Sequence, residues 1–135
     1  MKDLYTSHVH VVGGRDGSAT SSDGLLSLKL GFPKDMGGAG DRPNPEQLFA
    51  AGYAACFASS VRAAAATLSH PANAVEIDAE ATVSAREDGS YLVSKVRLRV
   101  HGLGEGAEAV LAEAKRICAY SNATRGNVEL EATAA

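Results

Sequence analysis

The 135-residue chain has no tryptophan, is only 5% aromatic, and holds just two cysteines, Cys56 and Cys118. Two thiols are too few for a disulfide-dense secreted scaffold. Basic residues are not in excess: 13 Lys and Arg stand against 16 Asp and Glu, for a net charge of −3. That balance gives no electrostatic footprint for nucleic acid, so none is expected as a partner. The longest low-polarity run, Leu48 to Val61, contains Gly52, Ser59 and Ser60. It falls short of the roughly 20 apolar residues of a membrane span and reads as a buried core helix, so no membrane association is expected. The first residues, Met1-Lys2-Asp3-Leu4-Tyr5, lack an apolar signal-peptide core, which points to the cytoplasm. Structural disulfides are rare there, so a cysteine pair is catalytic, sensing or simply reduced. His8 and His10 stand at strand spacing, but no C-x-x-C or H-x-x-x-H cluster accompanies them, and a metal site is not expected. The Gly14-x-x-Gly17 turn has neither the spacing nor the lysine of a phosphate loop.

What is present reads as one α+β domain over residues 1–135, in the order βββ-α-ββ-α-β. Residues 1–12 alternate loosely as a strand, and Gly13-Gly14-Arg15-Asp16-Gly17 is a turn. A short strand over 18–24 ends at the turn signal Asp23-Gly24, and Leu25–Leu30 is a third strand. Residues 31–44, rich in Gly and Pro, form a long loop of the kind that covers a site. Asn44 then caps a helix, with Pro45 at the first position and Gln47 placed to close a capping box. That helix runs to about Leu68, where Ser69-His70-Pro71 stops it. It is apolar nearly all round and rich in Ala, Gly and Ser, so two copies packed together in a homodimer would cover it. Strands over 75–86 and 91–100 are joined at Asp88-Gly89, a strong hairpin signal. On the second of them Val93, Lys95, Arg97 and Arg99 oppose Leu92, Val96, Leu98 and Val100. A helix over 105–117 and a short strand over 128–131 complete the chain, with Cys118 opening a polar turn between them.

The residues themselves leave the chemistry open between two readings. Cys56 in an apolar helix is either a small buried hydrophobe or a reactive thiol. As a reactive thiol it needs help, because burial raises a thiol pKa and its own helix N-terminus is three turns away. Arg62 lies on a different helix face, so a cation must come from elsewhere. Arg15, among glycines, is either a solvated turn residue or that cation, since guanidinium stays charged at any relevant pH. Glu46 is either a first-turn carboxylate or the bidentate partner that fixes the Arg15 fork. Glu46 and Cys56 are separated by ~15 Å along one helix, so for one arginine to serve both, either long side chains lean toward each other or the site is shared between subunits, and a site at a dimer interface is favoured. Cys118 is either a helix-end cysteine without a role or a resolving thiol.

Four stretches resemble the organic hydroperoxide resistance proteins, within the wider group that includes the osmotically inducible proteins. They are Gly13-Gly14-Arg15-Asp16-Gly17, Ser21-Ser22-Asp23-Gly24, residues 44–57 from Asn44-Pro45-Glu46 to Ala55-Cys56-Phe57, and residues 118–127 from Cys118-Ala119-Tyr120-Ser121-Asn122 to Gly126-Asn127. The likeness extends from near residue 5 to near residue 132. One departure is Ala119, where that family often has proline, which would loosen the turn beside Cys118. The resemblance implies an intertwined homodimer with antiparallel sheets around two central helices. It further implies a thiol peroxidase acting on organic hydroperoxides. Cys56 is then the peroxidatic cysteine, Cys118 the resolving cysteine with which it forms a disulfide, Arg15 the thiolate and peroxide anchor, and Glu46 the carboxylate holding Arg15. A dihydrolipoyl dithiol, free or protein-bound, would be the electron donor, with no bound cofactor. Phe49, Tyr53 and Phe57 are expected to receive the apolar tail of the substrate. The rival readings are a peroxide-responsive redox sensor, against which the lack of an effector motif counts, and a non-enzymatic dimer binding an apolar ligand.

Overall fold

The computed structural model describes residues 1–135. It falls into two compact units, Met1–Leu48 and Phe49–Ala135. The first holds an antiparallel sheet of three short strands, β1 (Val9–Val12), β2 (Ser18–Ser21) and β3 (Ser27–Lys29), in that spatial order. The strands are shorter than the alternation of residues 1–30 implies, and every residue of β1 is exposed. The β1–β2 turn is tight: the Gly17 N–H donates to the Gly14 carbonyl at 3.0 Å. A Cβ on Gly17 would lie 1.8 Å from the Val12 carbonyl oxygen, so only glycine fits there. The 31–44 loop folds on itself. The Gly31 N–H donates to the Pro43 carbonyl across its base, and Lys34–Met36 forms a turn of 3-10 helix.

The long helix α1 (Pro45–Thr67) starts where its capping box places it. The Gln47 N–H donates to Asn44 Oδ1 and the Asn44 N–H to Gln47 Oε1, both at 3.0 Å. It ends with Ser69 in the left-handed region, φ 52°, as the His70 N–H returns to the Ala65 carbonyl.

In the second unit α1 buries one stripe, Tyr53, Phe57, Ser60, Val61, Ala64 and Ala65, at the i, i+4, i+7 spacing of a helix face. The opposite stripe, Ala51, Ala55, Ser59, Ala63 and Ala66, is exposed in the single chain. The buried face joins one core with Val96, Leu98 and Val100 of β5 (Tyr91–His101) and Val110, Leu111 and Ala114 of α2 (Glu108–Ile117). β5 lies between β4 (Glu76–Ala85), antiparallel to it, and β6 (Glu129–Ala134).

Four sequence expectations are corrected here. β6 pairs with β5 in parallel, so the second sheet is mixed and not wholly antiparallel. A bulge opposite Thr82/Val83 leaves Ser94 without a partner. It shifts the alternation by one, so Val93, and not Leu92, packs on the core. α2 begins at Glu108 instead of 105, because Gly104 and Gly106 adopt positive φ ahead of it. Finally, the polar turn after Cys118 is a short helix, α3 (Ala119–Thr124). Cys118 breaks α2 from α3 with an extended backbone (φ −69°, ψ 125°) and acts as the α3 N-cap residue. Ala119 takes the first helical position, where proline is favoured but alanine is also at ease, so its presence does not unmake the turn.

Candidate functional site

The four residues singled out by sequence form two pairs, one in each unit. In the first unit the β1–β2 turn carries Arg15 and the opening turn of α1 carries Glu46. Their side chains meet fork to fork: Arg15 Nη1 donates to Glu46 Oε2 at 2.7 Å, and Nη2 to Oε1 at 2.6 Å. Both are sheltered, with side-chain exposures of 31% and 14%. The Arg15 hydrogen bonds hold the Glu46 carboxyl below its ordinary range, against the opposing effect of burial. Two parallel charge-assisted bonds fix the guanidinium plane as a single bond would not.

In the second unit α1 presents Cys56 and the α2–α3 junction presents Cys118. Both are free thiols, Cys118 fully buried and Cys56 partly so. Their sulfurs are 3.5 Å apart, within reach of an S–H···S hydrogen bond. A disulfide needs a bond of about 2.05 Å, so the sulfurs would close by about 1.5 Å to form one. The 62 residues between them in sequence are no barrier to the approach.

The two thiols titrate as a pair, and their surroundings pull them apart. Burial pushes the Cys56 thiol up, and the neighbouring Cys118 sulfur adds to this; the backbone N–H groups of Tyr120 and Ala119 offset it only in part. Burial also opposes charge on Cys118. The Ser121 N–H, the Ser121 hydroxyl, Cys56 and the Tyr120 N–H outweigh it, and hold Cys118 below the usual thiol value. These N–H groups are the unpaired donors of the first turn of α3. The surroundings in this unit thus raise Cys56 and lower Cys118, and no cation is among the groups that act on Cys56.

Sequence reasoning missed the layer beneath the pair. Tyr53 Oη lies 2.9 Å from Ser121 Oγ and 3.2 Å from Thr124 Oγ1. The available signal was spacing: Ser121 is three residues past the N-cap Cys118, and Tyr53 is three before Cys56 on the same helix. The aromatic expectation needs correction. Tyr53 and Phe57 are 0% exposed and belong to the core, so they cannot receive a substrate tail. The accessible rings are Phe49, partly buried, and Tyr120, which stack edge to face at 6.4 Å. Tyr120 also lies against bare Gly52, where a Cβ would sit 2.7 Å from its hydroxyl.

Comparison with known proteins shows the family to which the chain belongs. A family profile described as OsmC-like protein matches residues 38–133. The organic hydroperoxide resistance protein of Xanthomonas axonopodis pv. citri is 44% identical over 138 residues, covering 99% of this chain and 96% of that protein. Two solved structures are similar throughout. The organic hydroperoxide resistance protein OsmC of Legionella pneumophila has a TM-score of 0.92 and 41% identity, over 99% of each chain. The organic hydroperoxide resistance protein OhrB of Bacillus subtilis has a TM-score of 0.88 and 36% identity, over 98% of this chain and all of that one. A chain that shares fold, length and sequence with these proteins to this degree belongs to the OsmC-like family, in its organic hydroperoxide resistance branch.

Proposed function

We propose that this protein detoxifies organic peroxides as a cysteine-based thiol peroxidase, reducing alkyl and fatty-acid hydroperoxides to alcohols. The observation that carries the reading is the 3.5 Å approach of two free thiols in unlike electrostatic settings. Such a pair can pass through a sulfenic acid to a disulfide with little movement.

In the proposed cycle Arg15, held in plane by Glu46, supplies the positive charge that Cys56 lacks in its own unit. The Cys56 thiolate attacks the distal peroxide oxygen. The O–O bond breaks, the alkoxide takes up a proton and leaves as alcohol, and Cys56 is left as sulfenic acid. The Cys118 thiolate then attacks the Cys56 sulfur. The S–O bond breaks, hydroxide leaves as water after protonation, and a Cys56–Cys118 disulfide remains. A dihydrolipoyl dithiol supplies two electrons by thiol–disulfide exchange and restores both thiols. Phe49 and Tyr120 offer the apolar surface for the tail of the hydroperoxide.

The working form in this reading is an intertwined homodimer in the cytoplasm. The exposed alanine and serine stripe of α1 permits close helix approach, and an exposed β1 edge leaves room for pairing. Turnover of an alkyl hydroperoxide with dihydrolipoamide tests the proposal. Wild-type protein sustains turnover and Cys56→Ser abolishes it. Full activity in Cys56→Ser, or comparable efficiency with hydrogen peroxide and a bulky alkyl hydroperoxide, would overturn the mechanism or the substrate preference respectively.

A further inference from the structure

Phe49, Gly52, Tyr53 and Cys56 stand at i, i+3, i+4 and i+7 of α1, along one face of the helix. α3 rests on that face. Its N-cap residue, Cys118, has its sulfur 3.5 Å from that of Cys56. Tyr53 Oη meets the hydroxyls of Ser121 and Thr124 at 2.9 and 3.2 Å. The Tyr120 ring lies over Gly52, with its centre 5.5 Å from the Tyr53 ring and 6.4 Å from the Phe49 ring. The ties of α3 to α2, from Asn122 and Arg125 to the Arg116 and Lys115 carbonyls, are made by exposed side chains. A helix of 6 residues is too short to stand alone in water, so the contacts with α1 fix where α3 and its cap sit.

The fit at Gly52 is close. A Cβ there would stand 2.7 Å from the Tyr120 hydroxyl and 3.2 Å from ring Cζ. Ordinary contact begins near 3.5 Å, so the ring would have to withdraw by about 0.8 Å. Phe49 and the fully buried Tyr53 flank it on α1, while Tyr120 is 38% exposed. Relief therefore lies toward solvent and away from α1. Tyr120 belongs to the first turn of α3, which is closed by the Asn122 N–H on the Cys118 carbonyl at 2.9 Å. Drawing the ring off α1 draws that turn, and Cys118 with it.

We propose that the bare backbone of Gly52 and the Tyr120 ring form a seat that sets the distance between the two sulfurs for disulfide formation. The proposal rests on the reading of Cys118 as the resolving thiol. In that step the Cys118 sulfur attacks the Cys56 sulfenic acid; the S–S bond forms, the S–O bond breaks, and hydroxide leaves as water after protonation. Gly52 acts through Tyr120, and Tyr120 through the backbone of α3, so both are positioning residues for it. The sulfurs have to close by about 1.5 Å. A displacement of similar size weighs heavily, since a misplacement of about 1 Å slows a reaction by up to about 100-fold.

The test mixes reduced full-length protein with one equivalent of cumene hydroperoxide, quenches it in acid at intervals, and reads the mass. Wild type should pass to the disulfide, lighter by two hydrogens, with little build-up of the form heavier by one oxygen. Gly52→Ala should accumulate that oxygen adduct and convert it to disulfide about tenfold or more slowly. Alanine is the better helix former, so the substitution does not weaken α1 itself. In a Tyr120→Phe background, which lacks the atom that the new Cβ meets at 2.7 Å, Gly52→Ala should slow the conversion much less. Conversion in Gly52→Ala as fast as in wild type, or equal slowing in both backgrounds, overturns the seat. Should Gly52→Ala fail to fold, Tyr120→Ala empties the seat from the other side and should build up the same adduct; prompt conversion there overturns the seat too. Wild-type protein that stops at the oxygen adduct overturns the resolving-thiol reading, and the seat with it.

Discussion

Replacing Glu46 by Gln keeps the shape of the side chain and removes its charge. In the native protein both guanidinium nitrogens of Arg15 have carboxylate oxygens at 2.7 and 2.6 Å. In Glu46→Gln one of those oxygens becomes an NH2 that faces another donor, and the surviving bond loses its charge assistance. Hydrogen bonds to charged groups are worth roughly 1.5–3 kcal/mol each. Arg15 keeps 31% of its side chain in water, which discounts the loss to about 1–2 kcal/mol for the pair. The sign of the pH dependence follows from the lowered Glu46 carboxyl, whose ordinary value is 4.5. The contribution is complete above that value and is lost as pH falls through the lower folded value. Urea unfolding of wild type and Glu46→Gln should therefore differ by about 1–2 kcal/mol at neutral pH. The gap should shrink below 4.5 and close in strong acid. A gap that stays constant into strong acid, or is absent at neutral pH, would refute the argument. Peroxide turnover on the same variant then reads the proposed role: it should fall sharply, because Arg15 is no longer held in plane.

Three further outcomes are expected. Cys118→Ser should stop the cycle after the first step, so one equivalent of cumene hydroperoxide leaves Cys56 heavier by one oxygen by mass spectrometry; wild type should instead lose two hydrogens. Gly17→Ala should cost about 3 kcal/mol or more by urea midpoint, because the new Cβ meets the Val12 carbonyl at 1.8 Å and backbone cannot yield there. Phe57→Ala, at a position 0% exposed, should cost about 3–5 kcal/mol; a loss below about 1 kcal/mol would mean that α1 is not seated on the β5 core as described.

Local features were legible from sequence because local physics decides them. The capping box of Asn44 and Gln47 sets the start of α1. The Asp88-Gly89 turn forms as expected, with Gly89 at φ 85° and the Ser90 N–H donating to Asp88 Oδ1. The pairing of Arg15 with Glu46 was one of the two readings that the residues left open and the one that the family resemblance implied. Less was legible where a residue's fate depends on a distant strand or helix. Leu92 and Val93 are equally apolar, and only the bulge at Ser94 chooses between them. Tyr53 and Phe57 read equally well as core or as pocket wall, and burial against β5 and α2 made them core.

The sequence by itself determined the identity of the thiols, the fixed charge of Arg15, and the strand and helix periods, because these are properties of residue type and short spacing. Only the tertiary structure decided that β6 runs parallel beside β5, that Cys118 opens a short helix, and that the two sulfurs stand 3.5 Å apart. The parallel pairing of β6 and the approach of the two sulfurs come from closing long loops against one shared core, which residue type and short spacing do not fix.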